Sequence, residues 1–133
     1  MELSEGTKGL EDPTYVRARN GFRRAARASI DRVLAEHALR VLVAPTTDPA
    51  WLIDLLDANR SSYAWSLMVP IMAGYPILTV PMGQVRGMPV GISFIGPAWS
   101  ESRLLGLAYA YEQTGHARQQ PSYATALGTP LPQ

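Results

Sequence analysis

The sequence predicts an α/β fold in which a few strands of a mixed sheet are covered by helices. Two short apolar runs, 41–44 and 77–80, each stop at a proline, as strands buried on both faces commonly do. A third run, 90–95, places its larger apolar side chains on alternate positions. Long segments of helical periodicity lie before and after these runs. Three such strands are incomplete as a free-standing sheet, so we expect part of a larger α/β domain.

The first predicted helix covers residues 13–38. Asp12 can accept hydrogen bonds from the first free backbone N–H groups, and Pro13 suits the first helical position. Apolar residues then recur at helical spacing as far as His37, with arginines between them. The Asn20-Gly21 pair predicts a kink or a break, because glycine costs about 1 kcal/mol relative to alanine inside a helix.

The middle of the chain predicts a loop at 45–49, a short helix at 50–58 and a turn at 59–62. A second helix follows over about 62–73 and ends at Gly74.

The strands 77–80 and 90–95 are predicted to form an antiparallel hairpin. The segment between them, 81–88, contains two glycines and predicts a connection longer than the tight two-residue turn. A last helix over 100–114 should bury Leu104, Leu105, Ala108 and Tyr111.

The domain organisation follows from these elements. Residues 1–11 are a loose lead-in, 12–120 are the folded part, and 121–133 form an extended tail with three prolines. The chain has 133 residues, of which 47% are hydrophobic, and a net charge of +1. This balance predicts neither a nucleic-acid nor a membrane partner, both of which usually need a clustered basic excess. We expect a cytoplasmic location, since the N-terminal residues contain no apolar signal-peptide core.

The residues of this chain predict no catalytic site and no metal or cofactor site of its own. A serine triad needs a convergent histidine, but His37 lies in the first helix and His116 just after the last one. We expect His37 to be packed or half exposed and His116 to help finish its helix. There is no cysteine and no phosphate-binding glycine loop, and Lys8 is the only lysine. The arginines of the first helix are interpreted as a solvated face.

Two blocks of sequence point to a known family. The first is LVAPTT at 42–47 followed by PAWLID at 49–54, and the second runs from AGYPILTVPMG at 73–83 to GMPVGISFIG at 87–96. The second block continues into WSE at 99–101 and LLGLAYAYEQ at 104–113. In order and spacing, residues 13–121 resemble the C-terminal portion of amidase-signature hydrolases.

The resemblance implies a large α/β fold and amide hydrolysis by a serine nucleophile, a second serine in a cis-peptide arrangement, and a lysine. In the family these residues lie in a glycine- and serine-rich stretch upstream of the matched region. This chain has no such stretch, and Ser61-Ser62 is flanked by Arg60 and Tyr63 instead of glycines. We therefore expect a C-terminal fragment of an amidase domain that is inactive alone.

A substrate-binding surface is the remaining candidate site. The loop at 45–49 follows the end of a strand, where open α/β sheets tend to place ligands. The resemblance implies that this loop and the helix before Gly74 lie near the substrate cleft. The predicted pocket-wall residues are Thr46, Thr47, Asp48, Trp51, Ser62 and Trp65. An equally good interpretation of the two tryptophans is that they fill core space.

The expected ligand is a small amide, bound only in the context of the complete enzyme. No cofactor is expected. The alternative hypothesis is a non-catalytic interaction module that pairs its exposed strand edges with a partner or with a second copy of itself.

Overall fold

A computed structural model describes Gly6, residues 8–49 and residues 65–120. The predicted helix at 50–58, the turn at 59–62 and the tail at 121–133 lie outside these residues. The described elements, in chain order, are α1 (Pro13–Glu36), β1 (Leu42–Pro45), α2 (Trp65–Ala73), β2 (Ile77–Val85), β3 (Met88–Ile95) and α3 (Glu101–Gly115). The strands form an open sheet in the order β1-β3-β2, with both pairings antiparallel. The predicted α/β class is confirmed.

Helix α1 begins as the sequence predicts. The Asp12 carboxylate accepts hydrogen bonds from the backbone N–H groups of Thr14 at 2.6 Å and Tyr15 at 3.4 Å, which satisfies two of the free donors at the helix start. The helix then runs for 24 residues without a break at Asn20-Gly21. The predicted break is wrong because helix propagation is cooperative and the neighbouring alanines and arginines favour it.

The second half of α1 packs on one face of the sheet. Ala26, Ile30 and Leu34 repeat every four residues and are buried against Ala73 of α2 and Leu42 of β1. Leu42 lies opposite Ile95 in the sheet register, so this face continues across β3.

Helix α3 covers the opposite face. Leu104 and Ala108 are buried against Val80 and Phe94. The ring of Tyr111 meets that of Phe94 edge to face, with the ring centroids 5.8 Å apart.

Leu105, which the sequence places on the buried face of α3, is exposed instead. It directly follows Leu104, so helical geometry turns its side chain about 100° away from the sheet.

The β2–β3 hairpin is tighter than predicted. Strand β2 continues to Val85, passing through an irregularity between Pro81 and Gly83, and only Arg86 and Gly87 form the turn. Both turn residues have positive φ, 51° and 77°, as a two-residue turn that matches strand twist requires. The longer loop was predicted because 81–88 contains two glycines, and the Arg-Gly pair within it lacks the asparagine or aspartate that usually marks a tight turn.

Strand β1 lies at one edge of the described sheet and is not buried on both faces as predicted. Val43 is 54% exposed, although Leu42 and Ala44 on the other face are half-buried. Strand β2 is also less buried than predicted, since Thr79 is exposed between Leu78 and Val80. The described helices cover the centre of the sheet at β3 more fully than its edges.

Candidate functional site

Three hydroxyl groups meet where the α1-facing side of the sheet changes from apolar to polar. The Ser93 Oγ atom lies 2.7 Å from Thr46 Oγ1 and 2.9 Å from Thr79 Oγ1. Ser93 is 0% exposed, so its hydroxyl depends on these two partners. We call Thr46, Ser93 and Thr79 the hydroxyl chain.

The sheet register brings these residues together. Thr79 on β2 lies directly opposite Ser93 on β3, and paired residues in antiparallel strands project to the same side. Thr46 directly follows β1, and its N–H donates to the Gly91 carbonyl at 2.8 Å. Thr46, the second residue of the predicted substrate loop, is therefore held to the central strand by its backbone and by its side chain.

Gly91 provides the space for this contact. A Cβ atom at position 91 would lie 2.9 Å from Thr46 Oγ1 and 2.9 Å from Thr79 Cγ2. Both distances are shorter than real Cβ contacts, so a larger residue would force the two threonines apart. The absence of a side chain at Gly91 therefore allows Thr46 and Thr79 to approach Ser93.

The hydroxyl chain can offer one further hydrogen bond as a donor. Each hydroxyl has one proton, and three protons serve the two bonds within the chain. Because Ser93 is fully buried, its proton must serve one of these two bonds, so the remaining proton lies at Thr46 or at Thr79, according to the direction in which the chain donates. A carbonyl oxygen of a bound ligand is a suitable acceptor for it.

The geometry does not activate any of these hydroxyls as a nucleophile. In the described part of the chain, their side-chain hydrogen bonds involve no histidine, lysine or carboxylate. A serine or threonine hydroxyl needs such a base to attack a carbonyl group. The hydroxyl chain can therefore hold and orient a loop or a ligand.

The other predicted pocket-wall residues fall into two groups. Thr47 and Asp48 are exposed, and the Thr47 hydroxyl donates to the Asp48 carbonyl at 2.8 Å. Trp51 and Ser62 lie outside the described residues, and Trp65 begins α2 but its side chain is not described. That the six form one pocket wall stays a prediction.

Ser93 and Thr79 were missed as candidates. The sequence did contain a signal for this cluster. Ser93 lies with Gly91 on one face of an otherwise apolar strand, where a buried hydroxyl without a partner would be costly.

The two histidines lie at helix ends. His37 follows α1 and is exposed, so the predicted packed or half-exposed position is wrong. Leu34 is the last buried residue of α1, and the backbone turns directly after His37, where Ala38 has a φ of 51°. His116 ends α3 in a left-handed conformation, and its N–H donates to the Glu112 carbonyl at 3.1 Å.

A second polar cluster ties α1 to the segment between α2 and β2. Arg27 Nε donates to the Ala73 carbonyl at 2.8 Å, and its guanidinium group lies over the Tyr75 ring. The Tyr75 hydroxyl donates to the Asp31 carboxylate at 2.8 Å. Burial raises the pKa of Tyr75, the Asp31 carboxylate adds to the rise, and Arg27 opposes it. This cluster fixes the C-terminal end of α2.

Two kinds of site are absent from the part of the chain that the structure describes. No three metal-ligating side chains gather there, and none of the helices there has the length and apolar character needed to cross a bilayer.

The family model described as Amidase matches residues 2–105. Among solved structures, 91% of this chain superposes on the native peptide amidase of Stenotrophomonas maltophilia, with a TM-score of 0.77 and 48% sequence identity. An amidase family protein of Bacillus anthracis also matches 91% of the chain, with a TM-score of 0.68 and 27% identity. A glutamyl-tRNA(Gln) amidotransferase subunit of Synechococcus is 40% identical over 68% of the chain.

The chain spans only part of each of these relatives. It covers 24% of the peptide amidase, 21% of the Bacillus protein and 19% of the amidotransferase subunit. More than three-quarters of each relative therefore lies outside the match.

Proposed function

The chain belongs to the amidase family, and we propose that it supplies the C-terminal part of an amidase-signature hydrolase domain. In this role it completes the sheet and forms one wall of a pocket for a small amide. The observation that carries the proposal is the superposition of nearly the whole chain on a peptide amidase. The proposal includes the cytoplasmic location predicted from the sequence.

The reaction belongs to the complete enzyme. As the family resemblance implies, a serine attacks the amide carbonyl, a lysine accepts protons through the second serine, and ammonia or an amine leaves as the acyl-enzyme forms. Water then hydrolyses the acyl-enzyme to the carboxylic acid. This sequence contains no glycine- and serine-rich stretch, and Lys8 is its only lysine. We therefore propose that the chain alone does not hydrolyse amides.

Within that domain, the hydroxyl chain holds the start of the substrate loop. Two contacts of Thr46 support this, the 2.7 Å bond to Ser93 and the 2.8 Å bond from its N–H to Gly91. A loop fixed near its start loses less conformational freedom when a ligand binds, which favours affinity. The spare hydroxyl proton of the chain is a suitable donor to an amide carbonyl oxygen.

The test compares the chain alone with a chimera. In the chimera, this chain replaces the matching quarter of the Stenotrophomonas peptide amidase, whose remaining residues stay in place. We expect no ammonia release from a peptide amide by the purified chain, and clear release by the chimera.

Two results would contradict the proposal. One is amide turnover by the chain alone that a serine-directed covalent inhibitor abolishes. The other is a chimera that unfolds cooperatively, like the parent enzyme, but has no activity.

The second candidate is an interaction module that pairs through its strand edges. The observation that favours it is β2, a nine-residue strand without a charged side chain at the outer edge of the described sheet. Light scattering after size-exclusion chromatography tests it. If the chain forms a monodisperse, cooperatively unfolding dimer through β2, Thr79→Lys or Gln84→Lys should disrupt it. A dimer that neither substitution changes would count against pairing through β2.

A further inference from the structure

The first half of α1 extends beyond the packed core. The buried residues of this helix are Ala26, Ile30 and Leu34, all in its second half. At 1.5 Å per residue, residues 13–25 extend for about 20 Å. The packed second half supports this segment by helix propagation, but most helical stability in proteins comes from packing of one helix face, which this segment lacks among the described residues.

This first half carries an exposed apolar face. Tyr15, Ala18 and Phe22 follow at intervals of three and four residues, so they lie along one side of the helix. Phe22 is 63% exposed. An aromatic side chain of this size usually contributes most of its stabilisation when it is buried.

Helix α2 forms a second exposed apolar surface beside it. Its sequence, WSLMVPIMA, has no charged residue, and a helix that is apolar on all sides is typical of a protein interior. Ile71 is nevertheless 60% exposed, and Met72 is exposed as well. The two helices enclose a groove of about 540 Å³, whose walls include Tyr15, Phe22, Ile71 and Met72.

Arginines border this surface, which we call the α1–α2 groove. Arg19 and Arg23 line it, and the Arg23 guanidinium packs against Gly74, where a Cβ atom would lie 2.9 Å from its Nη2. Between Pro13 and Ile30 the helix has five arginines and no acidic residue. A second copy docking by the same face would bring these like charges together, which is unfavourable. A surface bordered by carboxylates fits better.

We propose that the α1–α2 groove receives the remainder of an amidase-signature domain, through an apolar surface bordered by carboxylates. This inference rests on the proposed function and names the surface through which the two parts join. It is supported by the length of the relatives, because 76% of the peptide amidase lies outside the match, which covers 24% of it. A remainder of that size is large enough to cover both helices.

The first experiment measures assembly from two polypeptides. The full chain is co-expressed with a Stenotrophomonas peptide amidase that lacks the quarter matching this chain, and the complex is quantified by light scattering. We expect a one-to-one complex that Phe22→Asp or Ile71→Asp weakens about tenfold or more, because each places a charge in the apolar seam. Tyr109→Asp on α3 is the matched control, since Tyr109 is 65% exposed and lies outside the groove.

The second experiment uses the chimera, which does not depend on two parts finding each other. Phe22→Asp and Ile71→Asp should lower its Tm by about 5 °C more than Tyr109→Asp does. Equal effects of the three substitutions in both experiments would overturn the proposal. So would a homodimer of the free chain that only the groove variants disrupt, since its occupant would then be a second copy.

Failure of this inference is distinguishable from failure of the proposed function. A complex that depends on the groove but hydrolyses no amide contradicts the function and leaves the surface in place. An active chimera whose stability is indifferent to Phe22→Asp and Ile71→Asp contradicts the surface and leaves the function in place.

Discussion

Ser93→Ala should lower the free energy of unfolding by about 2 kcal/mol. The substitution removes the one oxygen that bonds to both threonines of the hydroxyl chain, at 2.7 and 2.9 Å. A typical intramolecular hydrogen bond contributes about 0.5–1.5 kcal/mol net, so two bonds give about 1–3 kcal/mol. We expect a loss in the middle of this range, because water reaches the exposed Thr79 and can replace part of the hydrogen bond that Thr79 loses.

Urea denaturation of the chain measures this loss. Ser29→Ala is the control, because the Ser29 hydroxyl bonds to the Ala26 carbonyl one turn back in α1, and alanine is the better helix former there. We expect that control to change stability by less than about 0.5 kcal/mol. A double-mutant cycle with Thr46→Val should give a coupling energy of about 0.5–1.5 kcal/mol with Ser93→Ala.

The reasoning fails if Ser93→Ala costs no more than Ser29→Ala and the coupling energy is zero. Amide hydrogen exchange gives an independent measurement at the loop itself. The Thr46 N–H, which donates to Gly91 at 2.8 Å, should exchange faster in the Ser93→Ala variant. An unchanged rate would mean that the backbone bond alone holds the loop.

Three further predictions concern the fold around the site. Gly91→Ala should lower the free energy of unfolding by about 1–3 kcal/mol, because its Cβ would overlap two threonine side chains. Gly21→Ala has open space around it and should raise that free energy by about 1 kcal/mol. Thermal melts in which Gly91→Ala is the more stable variant would contradict this. Tyr75→Phe should cost about 0.5–1 kcal/mol near pH 8. Because the pKa of Tyr75 is raised in the folded chain, its contribution is complete below the unfolded value of about 10 and is lost as pH rises through the folded pKa. Urea melts at a series of pH values test this. A stability difference between the two proteins that does not shrink as pH rises above about 10 would argue against the assigned hydrogen bond. Leu104→Ala should lower the free energy of unfolding by about 2–5 kcal/mol, since the side chain is 1% exposed. Leu105→Ala should lower it by less than about 0.5 kcal/mol. If urea denaturation gives similar losses for both variants, the assigned face of α3 is wrong.

The elements that local sequence controls were predicted well. Asp12-Pro13 marks the start of α1 because the cap and the proline act within one turn. The antiparallel pairing of the second and third strands was also predicted, because a short connection favours it. The turn at Arg86-Gly87 was missed, since an arginine at positive φ is a cost that only the surrounding hairpin imposes.

The candidate site was predicted only in part, because the residues that form it are far apart in the sequence. Thr46 was named because a loop after a strand is a common ligand position. Its partner Ser93 is 47 positions away, and the contact depends on the register of β1 against β3, which no local pattern specifies. The exposure of Val43 was missed for a related reason, since burial on the second face depends on what covers an edge strand.

The position of β3 between the other two strands has a consequence for synthesis on the ribosome. Leu42 pairs with Ile95, so β1 cannot meet its partner among the described strands until roughly fifty more residues have been translated. At 5–20 residues per second this interval is roughly 3–10 s. During that time β1 lacks this pairing, and its apolar side chains are a possible target for chaperones. The three described strands can assemble only after their central strand, the last of them to be translated, has left the exit tunnel.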